Sequence, residues 1–220
     1  MIAREIISQS IPPVRTSDTI QKVLDRMAEF RVSHLPIVND KQFLGLLSEE
    51  DLIEVRDYSA PVGSLSLSLY NTCVRDDQHI YEVIRIFYQH KLTLVPVMDK
   101  KNDYLGVVSI NTMVEYMATL TAVKEPGGII VLEISNRDNS LSHIAQIVES
   151  DNAQVLSSYV RSFADSTRLE VTLKVNKTDI SGIVAAFTRY DYEVTATFSN
   201  TKSDNQTMDR FDQFMNYLDI

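Results

Sequence analysis

An internal repeat constrains this chain more than any other feature. Ser33-His34-Leu35-Pro36-Ile37-Val38-Asn39-Asp40 runs on through Leu44-Gly45-Leu46-Leu47-Ser48-Glu49-Glu50-Asp51. Thr93-Leu94-Val95-Pro96-Val97-Met98-Asp99 runs on through Leu105-Gly106-Val107-Val108-Ser109-Ile110-Asn111-Thr112. Each reads as strand, polar turn, strand, then a helix opened by a serine. Pro36 and Pro96 stand 60 positions apart, whereas Gly45 and Gly106 stand 61 apart, so the second turn holds one extra residue. Two copies at a period longer than a solenoid unit predict one pseudo-symmetric domain rather than an array.

The same offset runs through the flanks. Ile20, Val23, Leu24 and Met27 recur at helical spacing, and Ile80, Val83, Ile84 and Phe87 repeat them. Ser17 or Thr19 can cap the first of these helices. Val14 is repeated by Val74, and Ile2 by Val62. Residues 1–10 therefore read as a short lead-in, expected to pack on the first copy, and the 60–71 linker carries its counterpart. Ser48 is expected to cap a helix over 49–56, and a helix over 111–120 closes the second copy. Pro126-Gly127-Gly128 then stops the helical pattern and frees the backbone. Beyond it come an apolar strand over 129–134, a helix on Leu141, Ile144, Ala145 and Val148, and strands over 155–163 and 168–175. A second helix on Ile180, Ile183, Val184 and Phe187, capped by Thr178, and a strand over 192–198 complete the order βαββαβ. Met208, Phe211, Met215 and Leu218 place one apolar stripe on a terminal helix after a polar linker.

Composition excludes several functions. The 220 residues carry a formal charge of −9, which disfavours a general nucleic-acid or anionic-membrane surface. A single cysteine, Cys73, permits no intrachain disulfide and no cysteine metal cluster. That usage and the absence of an apolar leader predict a cytoplasmic protein. His34, His79, His90 and His143 fall in separate elements without metal-ligand spacing. No phosphate-loop, dinucleotide or nucleophile-elbow motif occurs, so no enzyme is expected.

The two copies resemble CBS motifs, modules that occur in tandem about a pseudo-two-fold axis. Leu35-Pro36-Ile37-Val38 and Val95-Pro96-Val97-Met98 carry the likeness, together with Gly45-Leu46-Leu47-Ser48-Glu49-Glu50-Asp51 and Gly106-Val107-Val108-Ser109-Ile110-Asn111-Thr112. In the second copy Thr112 replaces the acid. Residues 129–198 resemble an ACT domain, a regulatory fold that often binds amino acids. The combination resembles the CBS–ACT accessory proteins of the acetoin-utilisation type. It implies an α/β (α+β) chain with a tandem CBS pair over 1–122 (copies about 1–60 and 61–122). An ACT-like domain over 128–199 and a linker with a terminal amphipathic helix over 200–220 follow.

The resemblance implies an adenosyl small molecule (AMP, ADP, ATP or S-adenosylmethionine) as regulatory ligand, with no required cofactor. The site it implies is Val14, Thr16, His34, Pro36, Ser48 and Asp51. A carboxylate such as Asp51 can accept hydrogen bonds from both ribose hydroxyls, Ser48 at a helix N-terminus suits a phosphate, and the strand around Pro36 offers a dry slot for a purine. Arg15, Arg31 and His34 lie in segments able to supply positive charge. A second site would use Leu94, Pro96, Ser109 and Thr112, although a threonine hydroxyl cannot clamp a diol as a carboxylate does. Four of these residues also have a structural reading: Ser48 and Ser109 as caps, Asp51 as a first-turn acid, His34 as a strand-end polar residue. In the ACT-like unit Arg137 or Asp138 can pair with an amino acid, or Asn139 or Ser140 can simply cap the helix. The expected function is a regulatory ligand sensor, a homodimer acting on a regulated protein partner, with a ligand-free scaffold as the alternative.

Overall fold

The computed structural model describes residues 1–65, 72–135, 140–164 and 167–199. The terminal stripe on Met208, Phe211, Met215 and Leu218 and the 136–139 loop lie outside the described residues. The chain divides into two compact units, Met1–Tyr116 and Met117–Ile220.

In the first unit the repeat becomes two hairpins with matching registers. Strand β1 (His34–Asn39) pairs antiparallel with β2 (Gln42–Ser48), and Ile37 faces Gly45. Strand β3 is the short Val74–Arg75, and β4 (Leu94–Met98) pairs with β5 (Tyr104–Ser109), Val97 facing Gly106. Both hairpins break register one residue later, between Ile37 and Val38 and between Val97 and Met98. A parallel bridge joins Val14 to Ile37, and β3 places Val74 on Val97 in the same way.

Each hairpin follows a helix that lays its apolar stripe on it. Helix α1 (Ile20–Phe30) buries Ile20, Val23 and Met27, and α2 (Ile80–His90) buries Ile80, Val83 and Ile86. Thr19 accepts the Lys22 N–H at the start of α1. Both helices end on a cation in the left-handed region, Arg31 and Lys91, each at φ 53°. That conformation lets the last turn close and the chain reverse into the strand.

The lead-in corrects the expectation from sequence. It lies on the second copy, not the first: Ala3 N–H donates to Gln78 O at 2.9 Å, and Ser8 exchanges two hydrogen bonds with Val107 at 2.8 and 3.1 Å. The linker lies on the first copy, where Val62 N–H reaches Asp18 O at 2.9 Å and Gly63 N–H reaches Thr16 O at 2.8 Å. Each copy thus wears the other's lead-in. A side chain at Gly106 would meet Ile7 Cγ2 at 2.6 Å and Ser8 O at 2.9 Å, so the glycine is what lets the lead-in cross β5.

The helix expected over 49–56 shrinks to a single 3-10 turn, Glu50–Leu52. Leu52 is its one buried residue, while Ile53 stands 75% exposed. A single anchor gives a helix too little apolar area to nucleate and hold. In the second copy Ser109 does open a full helix, α3 (Ile110–Leu120).

The second unit takes the order β6 (Ile129–Ser135), α4 (Leu141–Ser150), β7 (Val155–Ser162), β8 (Arg168–Val175), α5 (Ser181–Arg189), β9 (Glu193–Phe198). The sheet runs β7-β8-β6-β9, all antiparallel. This is the split βαββαβ arrangement. Ile130, Leu132, Val171 and Leu173 meet Ile144, Ile147, Ile183 and Phe187 in its core. Two details differ from the sequence reading. Gly127 is packed rather than free, since a Cβ there would lie 1.8 Å from Val175 O. Helix α5 has no side-chain cap at Ile180; the Ser181 N–H is taken at 3.1 Å by the Asp179 carboxylate rather than by Thr178. Ser140 caps α4 by accepting the His143 N–H at 3.3 Å.

Candidate ligand clefts

The Ser48 and Asp51 side chains come together at the end of β2. Asp51 Oδ2 accepts the Ser48 N–H at 2.8 Å and the Ser48 hydroxyl at 2.7 Å, and Asp51 N–H donates to Ser48 Oγ at 3.2 Å. In this reciprocal knot the Asp51 carboxylate takes up both donors of Ser48, as a capping box does. The second copy repeats the geometry without charge: Ser109 Oγ and Thr112 Oγ1 are 2.9 Å apart, and Thr112 N–H donates to Ser109 Oγ at 3.1 Å.

His34 is the register partner of Ser48 across the first hairpin. It reaches the second copy, since its Nδ1 lies 3.1 Å from Thr93 Oγ1 and accepts the Thr93 N–H at 3.3 Å. Ser33 N–H also donates to Thr93 Oγ1, at 3.1 Å. Ser33 and Thr93 are equivalent positions of the repeat, so this contact marks the pseudo-two-fold axis. Burial pushes the His34 imidazole below its usual range, against the pull of the Glu50 and Asp51 carboxylates. An acceptor Nδ1 is compatible with the neutral ring alone.

A cleft of about 600 Å³ opens there, lined by Ser33, His34, Ser48, Glu49, Glu50, Ile53, His90 and Lys91. The first copy contributes its strand ends and 3-10 turn, and the second contributes the C-terminal end of α2. The expected set is only partly gathered. His34 and Ser48 line the cleft, and Asp51 is tied to Ser48. Val14 and Pro36 meet at mid-strand, where Val14 N–H donates to Pro36 O at 2.9 Å, but both are buried in the core. Thr16 sits elsewhere: its hydroxyl accepts from Asn39 Nδ2 at 2.9 Å, at the opposite end of β1 from His34. In the second copy Leu94, Pro96 and Ser109 are likewise buried, leaving Thr112 alone of the four partly accessible. Sequence reasoning missed Glu49, Glu50, Ile53, His90 and Lys91 as lining residues. The two glutamates were legible as neighbours of the serine motif; Lys91 had no local signal.

The second unit holds a cleft of about 800 Å³ lined by Glu133, Ser135, Ser140, His143, Arg168, Tyr190, Asp191, Tyr192 and Glu193. His143 Nδ1 lies 2.9 Å from Tyr192 Oη, and the Tyr190 ring meets its imidazole edge-on at 5.2 Å. Arg168 pairs with Glu133. This aromatic corner was also missed, because its members come from α4 and from the turn after α5. The Arg137, Asp138 and Asn139 of the expected loop site lie outside the described residues.

No group of three or more metal-ligating side chains converges among the described residues, and no described helix is long and apolar enough to cross a membrane.

The model of the CBS domain family matches residues 3–58 and 69–119. Inosine-5′-monophosphate dehydrogenase of Aquifex aeolicus is 25% identical over 141 residues, 62% of this chain and 29% of that enzyme. The Methanocaldococcus jannaschii enzyme is 17% identical over 150 residues, 30% of its length. The chain thus spans less than a third of these relatives. Among solved structures, a protein from Vibrio cholerae assigned to acetoin utilization superposes with a TM-score of 0.50 at 18% identity, covering 56% of this chain and 95% of that one. A CBS domain pair/ACT domain protein from Thermotoga maritima gives 0.49 at 24% identity, over 53% of this chain and 96% of that one.

Proposed function

Because residues 3–58 and 69–119 are a tandem pair of CBS domains, we propose that this chain is a regulatory ligand sensor that takes an adenine nucleotide or other adenosyl ligand in the cleft beside His34. The observation that carries the reading is the place of that cleft. His34 and Lys91 belong to different copies, and the hydrogen bonds that His34 and Ser33 make with Thr93 cross the pseudo-two-fold axis at its margin. A ligand wedged there changes the packing of one copy against the other, which is what a sensor requires: different affinity for two arrangements. Ile53, 75% exposed, offers an apolar surface for a purine face.

Dehydrogenase chemistry is no part of this proposal, since the relatives share with this chain only the paired CBS region. The regulated partner is a protein, and the sensor acts as a homodimer in a cytoplasmic setting. Tyr81 and Tyr88, 68% and 73% exposed on α2, supply apolar area for the subunit contact. We propose the βαββαβ unit as an ACT-type module that takes an amino acid in the cleft by His143. A ligand-free scaffold is the rival reading; the carboxylate already seated at Ser48 favours it.

The test is a thermal-shift screen of AMP, ADP, ATP, S-adenosylmethionine and amino acids on the whole chain and on Ile53→Arg. A ligand at 100 times its dissociation constant adds about 2.7 kcal/mol. A shift by an adenosyl compound that Ile53→Arg abolishes supports the sensor and its cleft. A shift by amino acids alone moves sensing to the second unit, and silence from all of them leaves the scaffold.

A further inference from the structure

We infer that the cleft beside His34 selects an adenosyl ligand whose 5′ end is neutral or cationic and turns away nucleoside triphosphates. The inference rests on the adenosyl reading above and adds the charge class of the ligand. Three features of the cleft wall point the same way.

The first is its charge. Of the residues lining it, Glu49 and Glu50 are acidic and Lys91 alone is a lysine or arginine. No ion pair within the chain involves any of the three among the described residues. The Lys91 ammonium lies 4.6 Å from the centre of the Tyr88 ring, so part of its field is already engaged there.

The second is the direction of the helix that borders it. His90 is the last residue of α2 and Lys91 its cap. The cleft therefore meets a helix C-terminus, whose carbonyls carry partial negative charge and favour cations.

The third is the lack of a phosphate cradle. The backbone N–H and the hydroxyl of Ser48 both donate to Asp51. The 3-10 turn that follows has three residues, too few to build the row of N–H groups that a phosphate needs. His34 accepts the Thr93 N–H and so stays neutral. A triphosphate would bring about four negative charges to a wall with one lysine and two glutamates. An adenosyl sulfonium or plain adenosine meets no such repulsion.

The experiment is calorimetric titration of the whole chain with adenosine, S-adenosylmethionine, AMP and ATP. The expected order places adenosine and S-adenosylmethionine ahead of AMP, and AMP ahead of ATP, the extremes differing by on the order of tenfold or more. The Glu49→Gln/Glu50→Gln double variant changes two exposed side chains. It is expected to raise ATP affinity by on the order of tenfold and to weaken S-adenosylmethionine, leaving adenosine unchanged. Since screening is strong for exposed charges, the gap narrows between about 0.01 and 0.15 M salt. ATP binding as tightly as adenosine, or an ATP affinity indifferent to the double variant, overturns the inference while leaving the sensor reading intact. No binding by any of the four overturns both.

Discussion

Asp51 Oδ2 holds the backbone N–H and the hydroxyl of Ser48 at 2.8 and 2.7 Å, and the equivalent pair in the second copy, Ser109 and Thr112, makes the same contact with two hydroxyls 2.9 Å apart. One architecture is thus built once with a charge and once without. Removing the carboxylate by Asp51→Ala frees two donors of Ser48, whose residue is 8% exposed. The expected cost is about 1–2 kcal/mol. Thr112→Asp places an acid in the first turn of α3, which has none. It is expected to stabilise by about 0.5–1 kcal/mol. Urea unfolding of both variants checks the pair, and opposite signs are required.

Arg4 pairs with Asp76, a carboxylate 1% exposed whose Oδ1 has no hydrogen-bond partner. Asp76 occupies the position that Thr16 holds in the first copy, and the arginine arrives on the lead-in. Arg4→Ala leaves a buried charge uncompensated. Because the arginine itself is 67% exposed, the expected loss is about 1–3 kcal/mol, below that of a fully buried pair. Asp76→Asn in the Arg4→Ala background should restore part of it, which equilibrium unfolding reads directly.

Two glycines carry chain crossings. At Gly106 (φ 151°) an added Cβ meets Ile7 and Ser8, and at Gly127 (φ 149°) it lies 1.8 Å from Val175 O. Gly106→Ala should lift the lead-in at a cost of about 1–3 kcal/mol. Hydrogen exchange should then rise at Ser8 and Val107, whose mutual bonds hold it. Gly127→Ala meets backbone rather than a flexible side chain, so its cost should be larger and should appear as lost protection in β8.

Stability should fall with mild acid through His34. Its imidazole is held below the unfolded value of about 6.5 by burial. The unfolded chain therefore takes up a proton at higher pH than the folded one. The contribution of His34 is present above about pH 6.5 and is lost as pH falls below it toward the folded value. His34→Gln should flatten that part of the profile of midpoint against pH. A profile identical to that of the unaltered chain would remove His34 as the cause.

The hairpins, the helices α1 and α2 and the whole βαββαβ order were legible because each is written locally. The stripe Ile20, Val23, Met27 faces one way on any helix, and the apolar run of β6 reads as a strand without a partner, although only the structure shows that Ile130, Leu132 and Ile134 are its buried side. The helix expected after Ser48 failed for an equally local reason that composition concealed. Leu52 is buried and Ile53 is not, a distinction that no pattern of two adjacent apolar residues can make.

By itself, the sequence determined the repeat and its register. Offsets of 60 and 61 reappear as Ile37 on Gly45 and Val97 on Gly106, and as the bridges Val14–Ile37 and Val74–Val97. Only the tertiary structure decided which copy receives each lead-in, because an offset of 60 is the same whichever copy lies beneath. The cleft was decided there too. Glu49, Glu50 and Lys91 share a wall though some 40 residues apart, and a charge acquires its neighbours through space rather than along the chain.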